Sequence, residues 1–556
     1  MKLNYKRTIL VGFAFFLICM FWQAYDNTIP LILTNKFGMS QTWSGVIMAL
    51  DNILALFLLP LFGALSDKVR TKAGRRTPFI MIGTILAAVL FIGLSVADYR
   101  QLTKVDAVTP DNGNYSNSLS VIYDANPNVA VPEEKKDGMT FFEAIGDVFA
   151  VKEKKPLNEL FPVKEDFTSI EMFKKDENGE YTKDTTDDYT NYVVPARNAY
   201  AWKMTAASPV TLVFFVVLLL GVLVSMGIFR SPAVALMPDV TPKPLRSKGN
   251  AIINLMGSFG GILVLVLGMI FKTGAPVNAM MNYIPFFCTV AGIMIIALIV
   301  FRLTVKEPKW ALEAAEIDAK LDAEAEEKEK TKAAGKTAEI AENAGTAAAP
   351  SGKLPPAVRR SLIFILLSVA LWYMGYNAVT SKYSVYASSV LNMDYNMTLI
   401  IAQAAAIISY IPIGIISTKL GRKKTIIAGV IMLGVAFGAA SFMRAGSSLL
   451  LMNILFALAG IAWATINVNS FPMVVELAHS SNVGKYTGYY YTASMAAQVV
   501  TPILSGIFLD IRFTTLFPYA TVFVALALVT MLFVKHGDAK PQAPKDKMEY
   551  LAGADD

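Results

Sequence analysis

Four ionisable side chains lie inside long apolar stretches of this sequence, where charges are uncommon. They are Asp26, Asp51, Arg230 and Lys382. A charged residue at the centre of a membrane helix costs about 2.5 to 3.5 kcal/mol on insertion scales, so it persists mainly where it faces a cavity or a partner. We therefore interpret these four residues as markers of a functional path through the apolar part of the protein.

An internal repeat separates the two kinds of polar group on this path. An offset of 351 residues aligns Asp26 with Asn377 and Asn52 with Gln403. A carboxylate takes up and releases a proton, whereas an amide only donates and accepts hydrogen bonds. We expect Asp26 to be the proton-coupling residue, with Asp51 as the second choice. The alternative is that either acid forms a structural pair with Lys382 or Arg230.

Aromatic and amide side chains accompany these charges at helical spacing. Trp22, Gln23, Asp26 and Asn27 share one broad helix face, and the stretch "LWYMGYN" (371–377) repeats the same chemistry. Aromatic rings cover the apolar face of a small molecule while amides and charges bind its polar groups. The residues expected to bind substrate are Gln23, Asn27, Trp372, Tyr376, Asn377, Gln403, Arg230 and Lys382.

The elements that position these residues are predicted to be membrane helices. Of the 556 residues, 54% are hydrophobic and only 17% are charged, whereas a soluble protein has about 25% charged residues. A spanning helix needs about 20 apolar residues. We predict an all-α membrane protein with twelve transmembrane spans, at 8–34, 42–65, 78–97, 208–236, 249–271, 282–304, 359–390, 397–418, 425–443, 448–470, 486–510 and 515–535.

The distribution of basic residues predicts the orientation of these spans. Clusters of Lys and Arg occupy every second short loop, and the loops between them carry single basic residues. Because short basic segments stay in the cytoplasm, we expect both termini to be cytoplasmic in a multi-pass protein of the cell (plasma or cytoplasmic) membrane. The net charge of +7 thus reflects topology, and no nucleic-acid partner is expected.

Two polar segments interrupt the spans. The predicted organisation is 1–97 (spans 1–3), 98–207 (extracellular insertion), 208–305 (spans 4–6), 306–358 (cytoplasmic linker), 359–535 (spans 7–12) and 536–556 (cytoplasmic tail). Clustered apolar residues at 139–149 and in "NELFPV" favour partial order in the insertion over a disordered tether. The linker begins as a charged helix, for which a solvated connector is the simplest interpretation.

Two loop motifs carry a resemblance to a known family. The segment "GALSDKVRTKAGRRTPFI" (63–80) resembles the loop between spans 2 and 3 of the sucrose-transporter branch of the major facilitator superfamily, and "GIISTKLGRKK" (414–424) is similar to the second copy of that superfamily's signature. The resemblance implies two pseudo-symmetric six-helix bundles and a sugar:cation symporter like the glycoside-pentoside-hexuronide symporters. Substrate would bind between halves that rock about it.

The sequence departs from this branch at two points. Plant members carry an arginine in a motif resembling "PAVALMPD" (232–239), where this chain has Val234, and several have an acid within span 4, where none occurs between Pro209 and Phe229. The resemblance implies coupling that is usually driven by protons, and sodium is the alternative coupling ion at these departures.

Charges at the ends of the basic loops are interpreted as a cytoplasmic gate. The gate residues are Asp67, Arg75, Arg76, Asp239 and Glu476. Asp67 ends span 2, where it can reach a helix N-terminus or pair with arginines, and such links form and break as one side opens. The alternative is that the arginines only fix topology.

The leading hypothesis is proton-coupled uptake of a sugar or glycoside, sucrose-like or maltose-like, by a monomer without cofactor or metal. Efflux of small amphipathic compounds, and a transporter-like sensor or receptor that uses the insertion, are the alternatives. Cys19 and Cys288 lie in apolar runs and suggest no disulfide or metal site. No nucleophile or acid–base pair indicates an enzyme.

Overall fold

The computed structural model describes residues 3–110, 114–131, 153–275, 278–336, 355–475, 477 and 483–536. Within these ranges, eleven helices are long and apolar enough to cross a membrane, and one further helix contributes the shorter apolar stretch Tyr395–Tyr410. Together they form an all-α membrane protein of two six-helix halves. The chain segment 139–149, expected to show partial order, lies outside the described residues.

The described α-helices are numbered in chain order. The spanning helices are α1–α3, α8–α10 and α12–α17. They are α1 (Tyr5–Asn35), α2 (Gln41–Lys68), α3 (Thr77–Lys104), α4 (Tyr115–Ala125), α5 (Leu157–Leu160), α6 (Lys164–Thr168), α7 (Val194–Ala207), α8 (Val210–Val240), α9 (Arg246–Phe271), α10 (Ile284–Thr304), α11 (Glu307–Lys336), α12 (Pro356–Tyr386), α13 (Tyr395–Leu420), α14 (Arg422–Ala440), α15 (Leu449–Val475), α16 (Val483–Ile511) and α17 (Leu516–Leu532).

The third helix is longer than the span predicted at 78–97. It continues to Lys104 because Asp98, the charge at which the prediction stopped, is buried and paired with Lys36. The Lys36 Nζ donates to Asp98 Oδ2 at 2.6 Å and to the carbonyl oxygen of Met281 at 2.7 Å. A buried charge with such partners is tolerated within a helix.

Each half has its own apolar core. The core of the first half includes Leu17, Phe91 and Phe287, and that of the second half includes Trp372 and Phe517. A residue of the first half, Leu31, packs in the core of the second half, so the two bundles meet along α1 and α12.

The halves are joined by polar contacts at the end of the molecule that carries the insertion, which we call the insertion end. Asp510 on α16 accepts hydrogen bonds from the backbone N–H groups of Gln41 (2.6 Å) and Thr42 (2.8 Å) at the start of α2. Lys382 on α12 donates to the carbonyl oxygen of Gln41 at 2.9 Å. We call Gln41, Thr42, Lys382 and Asp510 the insertion-end seal.

At the opposite end, which carries the basic loop 69–76 and which we call the basic end, α2 stays in contact with α8 but is more exposed. Its buried residues stop at Ala49 and resume only at Ser66, and Phe57 is 71% exposed. A helix packed on one side shows a buried stripe with a period of 3.6 residues. This part of α2 is therefore more exposed than the part at the insertion end.

The insertion is folded where the structure describes it. Strand β1 (Asn128–Ala130) pairs antiparallel with β2 (Lys154–Pro156), and β3 (Phe173–Lys175) pairs antiparallel with β4 (Tyr181–Thr185). Its apolar cluster includes Leu119 and Phe167 as well as residues of α3 and of the loop before α10. The insertion therefore rests directly on the first half.

Helix α11, in the linker, also packs on the first half. Its Trp310 is buried, and Arg7 of α1 lies 5.2 Å from the Trp310 ring centre while its guanidinium pairs with Glu313 at 2.5 Å. Asp318 accepts a hydrogen bond from Arg246 at 3.3 Å. The beginning of the linker is thus a docked element as well as a connector.

Candidate functional site

A cavity of about 530 Å³ lies between the two halves. Its polar lining comes from α1, α8 and α9 of the first half and from α12 and α13 of the second, while apolar side chains such as Ile18, Val234 and Leu399 make up much of the wall. The polar and charged residues at its surface are Gln23, Asp26, Asn27, Arg230, Asn254, Ser258, Thr380 and Gln403.

A second cavity of about 200 Å³ adjoins the first and is richer in polar groups. The two cavities share Trp22, Asp26, Arg230 and Thr380 in their walls. The polar side chains found only in the small cavity are Asp51, Asn52, Asn377, Ser381 and Gln498. Asp26 therefore lies at the junction of a large, mainly apolar chamber and a small polar one.

The three charged residues of the junction are arranged without a direct pair. Asp51 Oδ1 accepts hydrogen bonds from the backbone N–H of Asn52 at 2.6 Å and from its side-chain amide at 2.8 Å. The Arg230 guanidinium lies 5.5 Å from the centre of the Trp22 ring. In the described part of the chain, no ion pair within 4.0 Å joins Arg230 to Asp26 or Asp51.

An amide pair crosses the large cavity from one half to the other. Gln403 on α13 donates through Nε2 to Gln23 Oε1 on α1, at 2.5 Å. Gly261 lies beside this pair, and a side chain there would place its Cβ 3.3 Å from each amide oxygen. Because glycine has no side chain, Gly261 leaves room for the two amides.

Several buried polar atoms at the cavity walls have no hydrogen-bond partner among the described residues. They are Trp22 Nε1, Asn27 Nδ2, Asn377 Nδ2 and both polar atoms of the Asn254 amide. Buried polar groups nearly always find a partner. Donors of this kind, drawn from both halves, suit a ligand that offers several oxygen acceptors.

An aromatic pair on the second half lines the large cavity. The rings of Tyr376 and Trp463 are parallel within 5° with centroids 3.6 Å apart, and Tyr373 meets Trp463 edge-on at 5.2 Å. Trp463 was missed in the sequence analysis. A signal existed, because Asn467 follows it by one helical turn, as Asp26 follows Trp22.

Six of the eight residues expected to bind substrate line the cavities, and two lie elsewhere. Gln23, Asn27, Tyr376 and Gln403 line the large cavity, Asn377 the small one, and Arg230 both. Trp372 is fully buried in the core of the second half, and Lys382 is fully buried in the insertion-end seal. For these two residues the spacing predicted the helix correctly, but their side chains face the interior of the protein and not a cavity.

The charged residues that were expected to form a gate lie together at the basic end of the first half. Arg75 contacts Asp239 through Nε at 3.1 Å and Nη2 at 2.5 Å, and Arg76 reaches the same carboxylate through Nε at 2.8 Å. Arg76 also donates to Asp67 at 2.5 Å. These contacts tie α2, α3 and α8 together within one half. Glu476, the expected fifth member, lies outside the described residues.

A residue absent from the sequence-based set completes this cluster. The buried carboxylate of Glu307, the first residue of α11, accepts the backbone N–H groups of Arg75 (2.7 Å), Arg76 (2.9 Å) and Thr77 (2.8 Å), and the Thr77 hydroxyl at 2.7 Å. It therefore serves as an acceptor at the N-terminus of α3, where a negative charge is favourable.

The cavity walls combine charged and polar side chains of several types. In the ranges that the structure describes, no group of three or more His, Cys, Asp or Glu side chains could hold a metal ion. The arrangement offers instead two carboxylates, one guanidinium and a set of amides around connected chambers. Groups of these types can hydrogen-bond a hydroxylated or charged small molecule, and a carboxylate can take up and release a proton.

Comparisons with known proteins give the same class of molecule. The sequence model described as Major Facilitator Superfamily matches residues 199–409 and 395–552, and the one described as MFS/sugar transport protein matches residues 10–98. An uncharacterized MFS-type transporter of Methanocaldococcus jannaschii is 31% identical over 125 residues, which are 22% of this chain and 30% of that protein's length.

Solved structures share the fold along nearly the whole chain. The inward-open xylose transporter XylE of E. coli has a TM-score of 0.51 at 15% identity, with 97% of this chain and 98% of that chain covered. An inward-facing bacterial homologue of the iron transporter ferroportin has a TM-score of 0.53 at 11% identity, covering 96% and 100%. A peptide transporter, POT, has a TM-score of 0.51 at 11% identity, covering 95% and 93%. At these identities the likeness concerns the fold.

Proposed function

Since the chain belongs to the major facilitator superfamily, we propose that this multi-pass membrane transporter takes up a sugar or glycoside together with protons, by alternating access. The large cavity holds the substrate, with Gln23 and Asn27 contributed by one half and Tyr376 and Gln403 by the other. A site built from both halves couples binding to their relative motion.

The observation that carries the proposal is the position of Asp26. Its carboxylate lies in the wall shared by the two cavities, beside Arg230 and within the region where the halves meet. A carboxylate there changes charge when it binds a proton, and the change alters its attraction for the nearby guanidinium. Proton binding and the shape of the substrate site are thereby linked.

The orientation of transport follows from the charge distribution. The basic end, with Arg75 and Arg76, faces the cytoplasm, and the insertion faces outward. In this arrangement the insertion-end seal closes the outer side while the cavities open towards the cytoplasm. The conformation then corresponds to the stage at which a carried molecule is released inside.

One observation favours efflux of amphipathic compounds as a second candidate. Much of the wall of the large cavity is apolar, with Phe15, Ile18, Val234 and Ile407 among its lining residues. Such a chamber accepts hydrophobic ligands without strict hydrogen bonding. The unpaired amide donors of Asn27, Asn254 and Asn377 favour the sugar instead.

Transport in proteoliposomes tests both candidates. The purified full chain is reconstituted, and a panel of labelled sugars, glycosides and amphipathic cations is offered with and without an imposed proton gradient. Proton-coupled uptake predicts gradient-driven accumulation of one sugar class and collapse of that accumulation when an ionophore dissipates the gradient. Accumulation of many unrelated amphipathic compounds, with no sugar transported, would contradict it and favour efflux.

A further inference from the structure

The insertion contacts the turn that leads into the insertion-end seal. Residues 36–40 join α1 to α2, and Gly38 in this turn has a φ of +66°. A Cβ at Gly38 would collide with the backbone of Asn198 and Trp202 on α7. The turn and the insertion helix therefore touch backbone to backbone, which only glycine permits here.

A buried glutamine ties the same elements together. Gln101 on α3 donates through Nε2 to the carbonyl oxygen of Lys36 at 3.1 Å and to the Thr205 hydroxyl of α7 at 2.9 Å. Its Oε1 accepts a hydrogen bond from Thr211 of α8 at 2.6 Å. One amide thus links the turn, the insertion and two spanning helices out of contact with solvent.

The far side of α7 belongs to the folded body of the insertion. Ala196 and Ala201 lie in the apolar cluster that contains Leu119 and Phe167, and this cluster also includes Met280 from the loop before α10. Lys36 donates to the carbonyl oxygen of Met281, which follows Met280 in the chain. The turn is consequently held between the body of the insertion and the first half.

The seal begins where this support ends. Gln41 and Thr42, whose N–H groups bind Asp510 of the second half, directly follow the turn. Any shift of residues 36–40 displaces these two donors. Since hydrogen bonds weaken steeply with distance and angle, the shift weakens their bonds to Asp510. The position of α7 is thus transmitted through a few residues to the contact between the halves.

We propose that the insertion is a brace for the insertion-end seal, which sets how readily that end opens. Contacts of α7 with the turn favour the sealed state, so an event that moves the insertion changes the balance between the two open states. The inference rests on the proposed alternating access, and its readout requires neither the substrate nor the coupling ion.

The test uses Cys19, which lines the large cavity, as a reporter of access. The sequence has two cysteines, so Cys288→Ser leaves Cys19 alone in an otherwise full-length chain. Reconstituted protein is treated with a membrane-impermeant thiol reagent from the insertion end or from the basic end. Thr205→Val and Gly38→Ala disturb the brace, Lys203→Ala on the exposed side of α7 is the matched control, and Asp510→Asn breaks the seal directly.

The proposal predicts opposite changes at the two ends. Loss of one buried hydrogen bond changes a two-state equilibrium about fivefold, so Thr205→Val raises the labelling rate from the insertion end about fivefold and lowers it from the basic end. Gly38→Ala acts in the same direction, and Lys203→Ala leaves both rates unchanged. A merely misfolded variant would label faster from both ends.

Three results would overturn the brace. The first is that Asp510→Asn raises labelling from the insertion end while Thr205→Val and Gly38→Ala label as the parent does. The second is that none of the three variants raises labelling from the insertion end. The third is that the brace variants label faster from both ends. Failure of sugar uptake in the transport assay changes none of these rates, so the two proposals fail separately.

Discussion

Gln403 donates a hydrogen bond of 2.5 Å to Gln23, and this bond links the second half to the first inside the large cavity. The bond uses one N–H of the Gln403 amide and the carbonyl oxygen of the Gln23 amide. A substrate hydroxyl that replaces this bond gains a donor from one half and an acceptor from the other. In the proposed function, the amide pair thereby makes substrate binding depend on the distance between the halves.

Replacement of Gln403 by leucine is expected to weaken substrate binding. The variant keeps the volume of the side chain and removes the amide, so KM rises about tenfold, as loss of a hydrogen bond worth about 1.4 kcal/mol predicts. Concentration-dependent uptake in proteoliposomes measures the change. Ile408→Ala on the exposed face of the same helix is the control, and an unchanged KM in Gln403→Leu would remove this residue from the binding site.

Asp26→Asn is expected to abolish accumulation while preserving exchange. The asparagine keeps hydrogen bonding but binds no proton, so labelled substrate equilibrates across the membrane and does not concentrate. Asp51→Asn is expected to have the smaller effect. Counterflow and gradient-driven uptake are compared, with the exposed Asp106→Asn as control. Continued accumulation against a gradient by Asp26→Asn would reject the assignment.

The two tryptophans of the second half are expected to behave differently. Trp463→Leu removes a ring that lines the cavity, so affinity falls about fivefold, as loss of an aromatic contact of about 1 kcal/mol implies. Trp372→Phe changes a fully buried core side chain, so the melting temperature falls while KM is kept. Substrate titration and thermal unfolding distinguish them, and Trp43→Leu at a 60% exposed position serves as control. A KM effect confined to Trp372 would reverse the assignment.

Arg76→Lys is expected to destabilise the first half. The guanidinium joins Asp67 and Asp239 at once, and an ammonium cannot reproduce this fork. The loss is about 1 to 2 kcal/mol, less than for a fully buried pair, because Asp67 is 57% exposed and Arg75 still pairs with Asp239. Thermal unfolding measures it, and the exposed Lys72→Ala provides the baseline. Equal melting temperatures for both variants would limit the arginine to fixing topology.

Glu307→Gln is expected to loosen the linker from the first half. In the parent chain the backbone donors share the two oxygens of the Glu307 carboxylate, whereas the glutamine amide offers only one acceptor oxygen. The free energy of unfolding therefore falls by about 1 to 2 kcal/mol. Glu316→Gln, at an exposed position of the same helix, is the control. Limited proteolysis within α11 should become faster in Glu307→Gln alone, and identical cleavage of both variants would show that the contact contributes nothing.

The sequence predicts the spanning helices and much of the cavity wall because both depend on local pattern. Asp26, Gln23 and Asn27 lie on one helical face, and that face is turned to the cavity. Lys382 and Trp372 have the same pattern and face protein, since periodicity defines a face but not the neighbour opposite it. Glu307 and Gln101 act through contacts more than 60 residues away in the chain, which spacing along the chain does not encode.

The attachment of Glu307 to the start of α3 determines where this chain tolerates division. A gene split after Lys336 leaves each translated product with its own set of spanning helices and keeps the acidic end cap on the product that needs it. A split before Glu307 transfers that cap to the wrong product and leaves the backbone amides of Arg75, Arg76 and Thr77 without their acceptor. Coexpressed fragments are constrained by this one carboxylate.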